Sequence, residues 1–470
     1  MKLSFDFFVY FYYTIKKENF YKKGLNMKKI VLERDVEHIL TILRENGSGY
    51  IVGGYVRDKL LGIPPKDCDF CTNLSYETLL EIFKDYNAVA VGKSFGVVKI
   101  YYNNKEYDIA KMRKDISFTA DRKNTKIEFI SDIQEDLNRR DFTINAIAYD
   151  GENLIPVNSH ALSDIEDRSI RFIENPADRI KEDPLRIMRG IRLFVQKNFN
   201  NIENVTFNAI KNNASLIGNL SYERIRDEFI KIIMSSNPKL GMIYLLKSNL
   251  LNYFLPEIYQ CYNFMQNNPQ HSKDVFGHTL LVLKNTHPDL VLRLSALFHD
   301  VGKPMCYTET NGIGNFYSHD KIGYEITKIA LKRLHFDNIT IETVSLLVKY
   351  HMSFHTVVTS KFAKKIINEI GINNLDNLYQ LCRADILGSF PPYNFSRLDE
   401  SINIIREILN RKEPISVKDL AISGKDIIQL GFPAGIKIGE ILNFLLNHIL
   451  EYPEENKKDI LLKMILNNFR

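Results

Sequence analysis

Asp67 and Asp69, separated only by Cys68, are the first residues in the sequence whose type and spacing could do chemistry. In an extended segment residues two apart point to the same face, so the two carboxylates would stand side by side. Like charges that close repel unless cations sit between them. Hard oxygen ligands combined with substrate phosphates suit Mg2+, and two such ions about 3.5–4 Å apart would activate an attacking hydroxyl and stabilise a departing pyrophosphate. Just upstream, Gly53-Gly54-Tyr55-Val56-Arg57-Asp58 offers backbone that can approach a phosphate closely and a guanidinium fork to hold it.

A second constellation is Glu182-Asp183-Pro184-Leu185-Arg186. Asp183 is a good N-cap, Pro184 suits a first helical turn, and an apolar periodic run follows, so a helix is expected to start here. Asp183 and Arg186, three apart, would then share a face and set a carboxylate acceptor beside a guanidinium donor. Cytosine and adenine each offer an amine donor next to a ring-nitrogen acceptor, whereas guanine and uracil present carbonyls there. A capped helix with an internal Asp–Arg pair reads the same residues without any base. A third constellation, His278, His299-Asp300 and Asp385, puts nitrogen and carboxylate groups on separate helices, a plausible divalent-metal cage that His319 and His351 could extend.

The order G-G-x-V-R-D followed by D-x-D resembles the head of the bacterial-type CCA-adding enzymes and poly(A) polymerases, and Arg139-Arg140-Asp141-Phe142-Thr143-Ile144-Asn145-Ala146 matches that family's R-R-D-F-T-x-N-A block. The resemblance implies that Arg139 and Arg140 hold the triphosphate while Asp141 and Asn145 order sugar and loop. It makes Asp108 a third metal carboxylate, with a solvated strand acid as the other reading. Glu182, Asp183 and Arg186 resemble the family's E-D-x-x-R, which selects the incoming base, and Arg189 joins Gly53, Gly54 and Arg57 in the expected nucleotide site. Ser221-Tyr222-Glu223-Arg224-Ile225 resembles the neck-helix block, with a supporting role. The histidines follow the H…HD…D order of HD-domain phosphohydrolases.

By that resemblance, C, C and A are added to the tRNA 3′ end from CTP and ATP without a nucleic-acid template. Mg2+ is expected in the head, and a transition-metal ion in an HD domain with phosphohydrolase chemistry. The tRNA would be bound by shape, backbone and its single-stranded end, with neither DNA nor membrane as partner. A poly(A) polymerase shares the head motifs, although Ala90-Val91-Gly92-Lys93-Ser94-Phe95-Gly96-Val97 is closer to the CCA-adding wording. Specialists that add only A or only CC remain open, as do an HD phosphohydrolase with a vestigial head and a non-catalytic RNA-binding module; the last would require neither D-x-D nor HD.

These groups need elements to hold them. Short β-rich runs at Tyr50-Ile51-Val52, Val97-Val98-Lys99-Ile100-Tyr101, Tyr107-Asp108-Ile109 and residues 144–149 alternate with glycines and helical stretches. After about Ile170 apolar residues recur at helical spacing, so the remainder is expected to be all-α. The fold class predicted is α+β multidomain: an N-terminal extension over 1–26, a nucleotidyltransferase head with a mixed β-sheet over 27–157, an all-α neck over 158–262, an HD domain over 263–390 and a helical tail over 391–470. Proline and asparagine clusters at 263–269 and 391–394 mark the internal boundaries.

Bulk properties are permissive. The 470 residues include 62 Lys and Arg against 57 acids, a net charge of +5 that allows a nucleic-acid partner without demanding one. Five scattered cysteines argue against a secreted disulfide framework, so a reducing, cytoplasmic setting is expected. Cys68 and Cys71 form C-x-x-C, but no second pair lies at metal-ligand spacing. The apolar, aromatic N-terminus contains Asp6 and has no small-residue cleavage site, and Met27 offers a second start, so the segment before it reads as a dispensable extension. No stretch reaches the roughly 18 consecutive apolar residues of a membrane span.

Overall fold

The computed structural model describes residues 30–91, 96–117, 126–267 and 273–469. The expected extension over 1–26 lies outside the described residues, as do 92–95 of the glycine-containing stretch and 268–269 of the first boundary cluster. The chain divides into two compact units, Met1–Asn213 and Ala214–Arg470.

In the first unit the strands are β1 (Gly49–Val52), β2 (Asp69–Thr72), β3 (Val89–Ala90), β4 (Val97–Tyr102), β5 (Lys105–Lys111), β6 (Arg113–Ser117), β7 (Lys126–Phe129), β8 (Ile147–Tyr149) and β9 (Leu154–Pro156). Among the described residues seven of them form one sheet in the order β3-β4-β5-β2-β1-β8-β9, while β6 and β7 pair separately. Within the sheet β2 and β5 run parallel and the other neighbours antiparallel. Helix Arg34–Asn46 repeats Val36, Ile39, Leu40 and Leu43 at helical spacing, buries all four and packs on β1. The β4–β5 turn uses Asn103 and Asn104, both left-handed (φ 48° and 60°), the backbone a two-residue hairpin demands and asparagine tolerates.

The expectation that everything after Ile170 is helical needs two corrections. β10 (Ser169–Ile170) and β11 (Asn201–Ile202) form a short parallel pair, and β12 (Thr308–Thr310) and β13 (Ile313–Asn315) form a hairpin. Asn311-Gly312 joins the hairpin with φ of 53° and 77°, the N-G signal for such a turn, which the helical periodicity on either side obscures. The expected helix start at Asp183 is also displaced. Asn175 caps Pro176–Glu182 by accepting from Ala177 N, so Glu182 ends one helix, Asp183 is its C-cap, and the next runs Arg186–Gln196.

The second unit carries helices Val275–Lys284, Leu290–Phe298, His319–Arg333, Asn338–Tyr350 and Leu375–Gly388. Asp274, Asp289 and Asp337 cap three of them, accepting from Gly277 N (2.7 Å), Leu292 N (2.8 Å) and Thr340 N (2.9 Å). Val282, Ala296, Leu347 and Leu381 belong to one apolar core, whereas Ile427, Ile441, Leu445, Leu461 and Ile465 near the C-terminus build a separate one. Among the described residues no helix is long and apolar enough to cross a membrane.

Candidate active site and candidate metal centre

Gly53 follows β1 with φ +73°, a conformation side chains resist, and a Cβ there would lie 3.1 Å from Arg140 Nη1. The first glycine motif and the R-R-D block therefore meet at this point. Across the parallel β2–β5 pair Asp69 is in register with Asp108, so two of the three expected carboxylates are neighbours although 39 positions apart in sequence. Asp67 precedes β2 and, like Asp69, is exposed, while Cys68 and Phe70 are buried; the alternation turns both acids to one side. Cys68 and Cys71 are free and buried in the packing of this strand.

Partial burial raises the Asp69 carboxyl above its ordinary value although the residue as a whole is exposed; Arg140 pulls it down, and Asp108 and Asp67 push it further up. Asp108 Oδ1 is buried and receives no directed hydrogen bond, with Lys99 Nζ 3.5 Å away. Clustered carboxylates with an orphaned oxygen fit a hard divalent cation.

The arginines are held from behind by Asp136, which the motif reading missed. It is 1% exposed, accepts from Arg139 Nε at 2.9 Å and Arg140 Nη2 at 3.0 Å, and also takes Arg113 N at 3.3 Å. Its positions three and four before the arginines on helix Ile133–Asn138 were the available signal. A second buried chain ties the motifs together. Arg57 Nη1 donates to Asn145 Oδ1 (2.5 Å), Asn145 Nδ2 to Asp141 Oδ1 (3.0 Å), and Arg189 Nε and Nη2 to Asp141 Oδ2 (2.8 and 2.5 Å). Burial alone would raise the Asp141 carboxyl, but Arg189 and Asn145 outweigh it and hold it far below the usual range. Asp58 adds Lys197, whose Nζ lies 2.8 Å from Oδ2, to the same assembly.

Asp183 and Arg186 are both buried but do not share a helix face as expected, because the break between two helices falls between them. Arg186 instead donates to Glu182 Oε2 (2.5 Å), the Arg179 carbonyl (2.9 Å) and the Arg139 carbonyl (3.0 Å). Asp183 Oδ1 accepts from Leu185 N at 3.2 Å. The segment is thereby fastened to the R-R-D block.

In the second unit His278, His299, Asp300, His319, His351 and Asp385 converge. Each ring turns Nδ1 to a backbone carbonyl: His278 to Gly388 (3.3 Å), His299 to Ala296 (2.8 Å), His319 to Phe316 (2.8 Å) and His351 to Val348 (2.6 Å). Their Nε2 atoms face inward, His278 and His299 3.2 Å apart, His319 and His351 3.3 Å apart. Asp385 Oδ1 lies 2.9 Å from His278 Nε2. Burial raises the Asp300 carboxyl, but His299 and Lys303 outweigh it and hold it well below its usual range, and burial pushes His319 down to about 4. Gly302 permits this convergence: a Cβ there would lie 2.3 Å from the His319 carbonyl oxygen. Lys303, with Nζ 2.7 Å from Asp300 Oδ2 and 2.8 Å from Gln266 Oε1, and His355, with Nε2 3.9 Å from Asp385 Oδ2, were not anticipated. The i, i+4 spacing of His351 and His355 was the signal for the latter.

Three family models match: the poly A polymerase head domain over residues 49–171, an RNA and SrmB binding site of polymerase A over 200–261, and tRNA nucleotidyltransferase domain 2 over 321–465. A CCA-adding enzyme of Ligilactobacillus salivarius is 38% identical over 216 residues, 46% of this chain and 53% of that protein, so the match takes in about half of the relative's length. A CCA-adding enzyme of Enterococcus faecalis is 26% identical over 93% of this chain and 97% of its own. The structure of a Bacillus stearothermophilus CCA-adding enzyme in complex with CTP has the same fold, with a TM-score of 0.67 at 22% identity, covering 93% of this chain and 98% of that one. The chain is thus similar to poly(A) polymerases and tRNA nucleotidyltransferases in three separate stretches, and the G-G-x-V-R-D and R-R-D-F-T-x-N-A blocks within the first of them meet at one site.

Proposed function

We propose that this chain is a CCA-adding tRNA nucleotidyltransferase, extending the tRNA 3′ end by C, C and A from CTP and ATP with no nucleic-acid template. The observation that carries this reading is the register of Asp69 with Asp108 beside Asp67, opposite the Gly53–Arg140 approach. Nucleotidyltransferases of this family use divalent metal ions; here Asp67, Asp69 and Asp108 would hold Mg2+, which supplies Lewis-acid activation of the 3′-hydroxyl and charge neutralisation of pyrophosphate. Arg140, Arg139, Gly53, Gly54 and Arg57 bind and orient the triphosphate. Asp141, Asn145 and Arg189 keep the loop in position, and Asp183 and Arg186, backed by Glu182, read the base edge.

The test is extension of a tRNA lacking its 3′ end with each NTP singly and in combination, followed by sequencing. A defined C-C-A supports the reading, a long A tail makes the chain a poly(A) polymerase, and no extension leaves only the second unit's chemistry. Asp183→Ala and Arg186→Ala should each lower discrimination against UTP and GTP by about 10–100-fold, corresponding to roughly 1–3 kcal/mol for a polar group left unmatched. Single-nucleotide incorporation with competing NTPs measures this; unchanged selectivity in both variants would reduce the segment to a structural joint.

The buried His278, His299, Asp300 and Asp385 cluster favours a further activity, phosphate-ester hydrolysis at an HD-type centre holding a transition-metal ion. His299→Ala combined with Asp300→Ala should abolish hydrolysis of small phosphoesters or 2′,3′-cyclic phosphates. Hydrolysis that persists in this variant would locate the activity elsewhere.

A further inference from the structure

Lys197 lies outside every motif of the first unit, yet its ammonium is turned inward against one of them. It stands one residue past helix Arg186–Gln196, as the C-cap, and its Nζ lies 2.8 Å from Asp58 Oδ2, the lysine side chain 16% exposed and the aspartate's 5%. A helix C-terminus favours a cation, but an ammonium left in water meets that preference. Turning a long, flexible side chain towards a dry carboxylate costs desolvation and rotamer entropy, so the contact does more than cap the helix.

The polar contacts close into a ring. Asp58 Oδ1 accepts from Arg57 Nε at 2.8 Å and lies 2.7 Å from its Nη2; Arg57 donates onward to Asn145, Asn145 to Asp141, and Asp141 Oδ2 holds Arg189. Arg189 sits on the same helix that Lys197 ends, about 12 Å earlier along its axis. One helix is thereby fastened at two points, to G-G-x-V-R-D through Asp58 and to R-R-D-F-T-x-N-A through Asp141. Its first residue is Arg186, which donates to the Arg139 carbonyl at 3.0 Å, and Arg186 N donates to the Asp183 carbonyl, also at 3.0 Å. A rod pinned at one point pivots; pinned at two, its leading end keeps a fixed place relative to both motifs.

We propose that Lys197 is a positioning residue for nucleotide selection: acting through Asp58 and Arg57, it fixes the far end of this helix so that Arg186, and Asp183 beside it, meet the base in step with the bound triphosphate. The inference rests on the nucleotidyltransferase reading and deepens it, from the side chains that face the nucleotide to one that acts through them. Base and triphosphate belong to one molecule, so the groups that hold them must keep a constant separation. A helix loose at one end accommodates a wrong base and misplaces the right one.

The test is the first addition to a tRNA lacking its 3′ end, by the full-length chain carrying Lys197→Met, with CTP and UTP in separate reactions. The ratio of kcat/KM for CTP to that for UTP should fall about 3–10-fold, with kcat for CTP down about tenfold and its KM within about twofold of wild type, because the triphosphate holders are untouched. Lys197→Arg, which returns a charged donor to Asp58, should restore the ratio to within about twofold of wild type. Loss of folded chain lowers both rates together and cancels in the ratio, and Asp58 keeps Arg57 as a partner in either variant. Should Lys197→Met give no folded chain, Lys197→Gln is read by the same ratio with the same expected fall. A wild-type chain that selects CTP beside a variant that selects it equally well overturns the inference alone and makes Lys197 a structural staple. A wild-type chain that extends no tRNA overturns the underlying reading, and the inference with it.

Discussion

Asp67→Ala or Asp69→Ala, made separately, should each abolish addition of C and of A alike while leaving tRNA binding and the folded state in place. Removing one electrostatic stabiliser of a transition state costs on the order of 10²–10³ in rate, and loss of a metal-holding carboxylate should cost at least that. The fold should tolerate the change because both side chains are exposed beside β2, whereas the side chains that pack the strand, Cys68, Phe70 and Cys71, stay in place. Relief of repulsion among Asp67, Asp69 and Asp108 should even favour the folded state slightly. Single-turnover incorporation on a tRNA ending before CCA, beside a filter-binding isotherm, separates the two effects. Near-normal incorporation by either variant would remove that residue from the reaction.

Asp136→Ala should be the most damaging single change to stability in the first unit. It leaves Arg139 and Arg140 with no acid between them in a largely dry setting, and breaking such an assembly from one side costs about 3–5 kcal/mol, nearer the lower figure because the arginine side chains retain 19% and 18% exposure. The pH dependence follows from direction alone. Burial would raise the Asp136 carboxyl, but Arg140 and Arg139 outweigh it and its pKa falls below the ordinary value. A depressed folded-state pKa means the stabilisation is complete above the unfolded value, about 4, and is lost as pH falls through the folded one. The gap between wild type and variant in urea midpoints should therefore be level at neutral pH and close in acid. A gap that widens in acid, or one below about 1 kcal/mol at neutral pH, would mean the arginines find other partners.

Much of this was legible from spacing. β1, β4 and β5 lie where β-branched and aromatic runs predicted strands, and the rings and acids named from H…HD…D order converge. What was not legible depended on register and on interruptions of periodicity. A period of two tells which face Asp69 and Asp108 occupy but not that a parallel pairing sets them opposite one another. Asp183 and Arg186 carry helical spacing, yet Asn175 and Pro176 start a helix early enough that it ends at Glu182, and the two residues fall on either side of the joint. Asp136 was hidden for another reason: an acid near two arginines reads as a solvated helix face until burial shows otherwise.

The order of the sheet bears on how the protein avoids its own kind. β2, β1 and β5, the strands around the proposed carboxylates, each have a neighbour on both sides, so their backbone donors and acceptors are already matched. The open borders are β3 and β9, two and three residues long among the described residues, and β9 ends in Pro156, whose nitrogen has no hydrogen to offer. A strand from another molecule would find little there to pair with. Crowded chains emerging from ribosomes could thus collide along these borders without zipping together, and the carboxylate strands would never present a free edge to a stray segment.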